Sequence, residues 1–114
     1  MNKKLLKRRA TCEQCIAACE QCLAILAAEA AERAGEKTSS QRREIFHACV
    51  RICTLVVEEI RLNSAFLSQV CGLCAVLCRA CREECQQYRG EQFEFCAQAC
   101  ERAAQECRAL ALNA

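Results

Sequence analysis

Fourteen of the 114 residues are cysteine, and their spacing sets the chemistry open to the chain. Cys12, Cys15, Cys19 and Cys22 are separated by three, four and three positions; Cys71, Cys74, Cys78, Cys81 and Cys85 by three, four, three and four. Those intervals keep side chains on one face of an α-helix. Cys49 and Cys53 add an i, i+4 pair, and Cys96, Cys100 and Cys107 a sparser set. Thiolates are soft ligands. Stripes of them at positions that Leu or Ile normally fill predict many soft metal ions inside a helical bundle.

The elements that would carry these stripes follow from composition. The chain has no Pro and three Gly, and Ala, Leu, Glu, Gln and Arg fill the space between cysteines, all good helix formers. A 54% hydrophobic fraction over 114 residues is enough for one packed core. Gly35, followed by Glu36, Lys37 and the hydroxyls of Thr38, Ser39 and Ser40, reads as a helix end and then N-caps. Asn63-Ser64 and Gly90 mark two further breaks. The expected helices are about 3–34, 41–61, 64–88 and 91–111 within a single domain, 1–114. Links this short favour an all-α fold, an antiparallel up-down four-helix bundle with a Cys-lined core.

One heptad register fits every helix. Helix four reads Phe93, Cys96, Cys100, Ala103, Cys107, Leu110, and helix two reads Phe46, Cys49, Cys53, Val56, Ile60. In helix one, Leu5 precedes the thiols and Leu26 follows them, so apolar layers are expected to close both ends of the thiol interior. An internal repeat supports the register: Cys12-Glu13-Gln14-Cys15 returns seven residues later as Cys19-Glu20-Gln21-Cys22.

A secreted disulfide scaffold is the ordinary reading of a small cysteine-dense chain. Helix geometry opposes it within a stripe, because i, i+3 and i, i+4 Cβ atoms lie about 5–6 Å apart and a disulfide wants about 3.8 Å. The start Met1-Asn2-Lys3-Lys4-Leu5-Leu6-Lys7-Arg8-Arg9 is basic and lacks the apolar run of a signal peptide, and no stretch reads as a membrane span. A reducing cytoplasm is the expected compartment, where thiols stay available for metal.

Charge then separates the metals. A thiolate core holding monovalent Cu(I) at about one ion per sulfur is close to neutral. Zn(II) on four thiolates carries a double negative charge, and several such sites in one core would need cations that the stripes do not offer. A linear two-sulfur site needs its sulfurs about 4–5 Å apart, taking a Zn–S length of about 2.3 Å as a guide, and i, i+4 pairs reach that. Iron–sulfur motifs group their cysteines in loops with uneven spacing, which this chain lacks. Zn(II) or Cd(II) thiolate binding remains as the secondary ligand reading.

These residues resemble the copper storage proteins, four-helix bundles whose core cysteines bind many Cu(I) ions. The resemblance covers the whole chain and is carried by the C-x-x-x-C pairs Cys15/Cys19, Cys49/Cys53, Cys74/Cys78, Cys81/Cys85 and Cys96/Cys100, with the C-x-x-C steps between them. With no export signal, the chain is similar to the cytosolic class. The resemblance implies high-capacity Cu(I) storage and a homotetramer. At one ion per thiol, capacity would be on the order of fourteen Cu(I) ions per chain. Two departures lower it relative to members with fuller stripes: Ala103 stands where a further cysteine would complete helix four, and helix two contributes only two thiols. The sole Met is Met1, so a methionine-lined mouth of the kind found in exported members is absent.

His47, the only histidine, stands two residues before Cys49, at the end shared with Tyr88 and Phe93. It reads either as a further metal ligand admitting ions or as a partly solvated side chain beside the core. Gly72 beside Cys71 either permits close helix approach or has no special role. The basic start, Lys3, Lys4, Lys7, Arg8 and Arg9, reads as a solvated helix end and not a nucleic-acid patch, because no aromatics are interleaved to stack bases. Catalysis has little to work with: there is no Asp, and His47 and Cys49 are too close in sequence to share a helix face. No catalytic residue is expected, and the chain is read as a store and not an enzyme. A copper-responsive regulator and a structural bundle using Cys as a small hydrophobe stand as the other classes. The structural reading is weakened by number, since Leu would bury more apolar surface at fourteen positions.

Overall fold

The structure is a computed structural model that describes residues 3–32 and 38–112. Four helices follow one another: α1 (Lys3–Glu32), α2 (Thr38–Arg61), α3 (Leu67–Cys85) and α4 (Glu91–Leu112). Among the described residues there is no strand. α1 packs on α2 and α4, and α3 packs on the same two, while the backbones of the diagonal pairs stay apart. This is the antiparallel up-down bundle that the short links predict, in a body of 46 × 22 × 19 Å.

Helix limits differ from the sequence reading where local hydrogen bonding decides them. α2 begins at Thr38, so Thr38, Ser39 and Ser40 belong to the helix. The expected glycine stop at Gly35 and the last two residues of the first expected helix lie outside the described residues, as does Met1. α2 ends in a Schellman motif: the Ser64 N–H donates to the Glu59 carbonyl at 3.0 Å and the Asn63 N–H to that of Ile60 at 3.2 Å. Asn63 takes φ +51° to close it, one of the few side chains that tolerates the left-handed region. α3 then starts three residues later than expected, because the Ser64 hydroxyl accepts from the Phe66 N–H at 3.0 Å and holds a turn there. It ends three residues early, at Cys85. Beyond it the Gln87 and Tyr88 N–H groups donate to Glu84 and Cys85, three residues back, a tighter turn than the α-helix allows. Gly90 stands at φ +125°, where L side chains are strained, and α4 starts directly after it.

The heptad register holds in full. All fourteen cysteines are buried, with Phe46, Val56, Ile60, Phe93 and Ala103 completing the same core. At one end Phe46, Tyr88 and Phe93 form an aromatic cluster, with Tyr88 stacked on Phe93 at 4.6 Å between ring centroids, and Leu26 is buried as well. At the other end Val56 and Ile60 are buried, and Leu5, Leu67 and Leu110 pack against the core from partly exposed positions. The greasy ends predicted around a thiol middle are present.

Two readings change. α1 is long and apolar enough to cross a bilayer by length and composition. Its hydropathy comes from Cys and Ala, and Cys12, Cys15, Ala18, Cys19, Cys22 and Leu26 are spent on the bundle core, as in the central helix of a soluble domain. Arg8, read as part of a solvated start, is in fact only 12% exposed. It lies four residues before Cys12 on the thiol stripe itself, and its Nε donates to the Glu106 carbonyl at 3.2 Å. Gly72 faces Ala111, where an added Cβ would meet the Ala111 Cβ at 3.8 Å, an ordinary contact that does not require glycine.

Candidate metal centre

Each helix delivers its sulfurs to the bundle axis because a 3-4 interval advances the stripe by close to whole turns. In the assembled bundle most close sulfur pairs join different helices. Cys15 lies 3.7 Å from both Cys49 and Cys100, and Cys19 lies 3.7 Å from both Cys81 and Cys96. Cys78 is 3.7 Å from Cys49, Cys53 and Cys74, Cys53 is 3.7 Å from Cys74, and Cys12 is 3.9 Å from Cys107. The pair Cys19–Cys81 spans a diagonal, so sulfur closes the axis that the backbones leave open. Within a helix, Cys74–Cys78 and Cys96–Cys100 meet at 3.7 and 4.0 Å.

The sulfurs therefore gather into overlapping groups. Cys15, Cys19, Cys49 and Cys100 form one set with all sulfurs within 4.8 Å of one another; Cys15, Cys49, Cys53 and Cys78 form a second; Cys19, Cys81, Cys96 and Cys100 a third; Cys12, Cys53 and Cys74 a fourth. Shared members fuse them into one column along the bundle. Sulfurs at 3.7–4.0 Å are within about 1 Å of the separation that two metal–sulfur bonds span, and all fourteen cysteines are free thiols. The remaining thiols extend the column: Cys22 and Cys85 interact with each other and with Cys96, and Cys71 interacts with Cys107.

Ionisation is divided inside every group. Cys15 is drawn down to about 3, chiefly through its contact with Cys100, with Cys19 adding to it. Cys49 is also held below the ordinary thiol range, with Cys100 again the main cause. Cys100 is pushed up through its hydrogen bonds to Cys15 and Cys19, and burial adds to this; Cys53 is raised by Cys12 and Cys15 in the same way. A few thiolates are thus solvated by neighbouring S–H groups that keep their protons. Such a set gives up its remaining protons to monovalent soft cations, and the loaded core is then close to neutral.

Three features went unread in the sequence. The interhelical and diagonal pairs depend on packing, and spacing along one helix carries no signal for them. Gln92 donates its amide to the Ala18 carbonyl at 3.2 Å, and the Cys22 thiol faces the Gln92 carbonyl at 3.8 Å; nothing in the local sequence marks this clasp. Arg8 had a signal, a charge on the α1 stripe. Its positive charge favours the Cys71 thiolate, though the hydrogen bond from Cys107 is the larger effect. His47 lies on an exposed part of α2 and belongs to none of the sulfur groups.

Comparisons with known proteins agree with this geometry. The Cu(I)-bound copper storage protein BsCsp3 superposes with a TM-score of 0.81 at 28% identity, covering 96% of this chain and 99% of that one. The apo form of copper storage protein 3 from Bacillus subtilis gives 0.78 at 30% identity, over 92% and 96%. A Nitrosospira multiformis protein of known structure gives 0.82 at 27% identity over the full length of both chains. In sequence, the uncharacterised cysteine-rich protein YhjQ of Bacillus subtilis is 42% identical over 36 residues, a stretch spanning 32% of this chain and 33% of that relative. The family model of copper storage proteins matches residues 1–112. With a thiol-lined four-helix bundle matched along nearly its whole length, the chain belongs to the copper storage protein family.

Proposed function

We propose that this protein stores Cu(I) along the whole sulfur column, with all fourteen cysteines as ligands and a capacity on the order of one ion per thiol. The observation that carries the reading is continuity: buried free thiols at 3.7–4.0 Å run from Cys81 to Cys19, through Cys96 and Cys100 to Cys15 and Cys49, and through Cys78 to Cys74, and the fourth sulfur group ties on Cys12 and, through it, Cys107. The Cu(I)-bound state of BsCsp3 supports copper as the cargo. Monovalent ions suit a core that, among the described residues, buries no charged side chain and has the nearly buried Arg8 at one end; Zn(II) or Cd(II) would accumulate negative charge there. The protein holds and releases metal and performs no catalytic step.

The chain works as one domain, in a reducing cytoplasm, where fourteen free thiols persist. Phe66, Leu73 and Val76, spaced along one side of the α3 segment and 53–67% exposed, give a second copy an apolar face to cover. We assign this face to a homotetramer. Anaerobic titration of the reduced apoprotein with Cu(I), followed by gel filtration and metal analysis against a strong Cu(I) chelator, tests the storage reading. Retention of about ten or more ions per chain is expected, and saturation at one to four would point instead to a sensor or a Zn(II) site.

A further inference from the structure

A sealed column must be filled from somewhere. Thirteen of the cysteines have no exposed surface, and Cys85 alone has any, at 2%. Cys85 stands in the wall of a surface cleft of about 410 Å³ between the end of α3 and the first turns of α4. Gln86, Glu94 and Gln98 form the polar part of that wall, and Tyr88, stacked on Phe93, forms its edge. Three other clefts, around Arg42 and Glu83, around Gln92 and Phe95, and around Gly72 and Arg108, have no cysteine in their walls. The opposite end of the column is latched. Above Cys71 and Cys107, the nearly buried Arg8 donates to the Glu106 backbone carbonyl at 3.2 Å and pairs with the Glu106 carboxylate at 3.7 Å, which Lys7 also reaches at 3.3 Å.

Resting on the storage reading, we propose that Cys85 is the receiving thiol of the store, and that the cleft admits a small-molecule thiol complex of Cu(I). The cleft is of the size that holds small ligands, about 300–1,000 Å³, and too small for the face of a protein donor. Transfer is a ligand exchange. The Cu(I)–sulfur bond of the carrier breaks as a bond to the Cys85 thiolate forms, and the carrier leaves as its own thiolate, so one thiolate replaces another on the metal. No electron moves, and copper stays monovalent throughout. From Cys85 the ion steps to Cys81 or Cys22, the neighbouring thiols that act on its ionisation, and then to Cys19, 3.7 Å from Cys81.

Stopped-flow loading of the full apoprotein from the Cu(I)–glutathione complex tests this, with total capacity measured in parallel. Cys85→Ala removes the receiving sulfur. Gln98→Trp fills the cleft from an exposed position and leaves every thiol in place. Both are expected to load at least about tenfold more slowly than the parent while final capacity stays within about one ion. Tenfold is about 1.4 kcal/mol in barrier height. A parental rate in either variant overturns the port. Low capacity in the parent protein itself would sink the storage reading, and the rate comparison would still show where metal enters.

Discussion

The sulfurs of Cys15 and Cys49, thirty-four residues apart in sequence, lie 3.7 Å from each other at the middle of the bundle. Cys15 also belongs to two four-sulfur groups. Cys15→Ala should therefore remove at least two bound Cu(I) ions, whereas Cys22→Ala, outside all four groups, should remove about one. Copper analysis of the two loaded variants checks this. Equal losses would show that each thiol acts alone. Alanine is preferred to serine because a hydroxyl left unpaired in this core costs about 1–3 kcal/mol.

The same pair explains why the apoprotein should be folded before metal arrives. The thiol core already packs against Phe46, Val56 and Phe93, so loading adds links between helices that exist. Circular dichroism should show the same helix content with and without copper, while Tm rises on loading and falls back on chelation. A ligand at a hundred times its Kd adds about 2.7 kcal/mol per site, enough to raise Tm by more than ten degrees in a domain of this size. A coil-to-helix transition on adding copper would contradict the packed apo core.

Loading should release protons. Cys22 is held protonated through Cys85 and Cys96 with burial adding to it, and Cys107 through Cys12, Cys71 and Cys74. Each such raised thiol gives up its proton when it binds metal. Protons and Cu(I) therefore compete, and affinity must fall as pH falls. Titration in weak buffer near pH 7.5 should liberate roughly one proton per raised thiol loaded, and retention against a fixed chelator should weaken steadily toward pH 5. Affinity independent of pH over that range would contradict the assignment.

Gly72 offers a stability test away from the metal. The space beside it accepts a Cβ at ordinary contact distance from Ala111, and the helix interior disfavours glycine. Gly72→Ala should stabilise the apoprotein by about 0.5–1 kcal/mol, read as a higher urea midpoint with copper capacity unchanged. Destabilisation would mean that the α3–α4 approach is tighter than described.

Much of this was legible in the sequence because one period served two purposes. The 3-4 spacing that makes Cys71, Cys74, Cys78, Cys81 and Cys85 a stripe is also the core spacing of a bundle helix, so locating ligands located the core. Helix limits were less legible. The early end of α3 depends on Tyr88 and Gln87 bonding three residues back, a choice that composition does not mark. Sulfur-to-sulfur partnership was not legible at all. Pairs such as Cys19 and Cys81 face each other across the axis, and that depends on the relative rotation and height of two helices. Arg8 was misread for a related reason: a basic cluster at a chain start looks solvated until the stripe is extended one turn upstream of Cys12.

Copper-edge anomalous diffraction from crystals of the loaded protein tests the central claim most directly. A file of copper peaks along the bundle axis, between the Cys85 end and the Cys71–Cys107 end and each within bonding distance of two or more cysteine sulfurs, is the predicted result. Peaks confined to the surface, to His47, or to one or two positions in an otherwise metal-free core would contradict it.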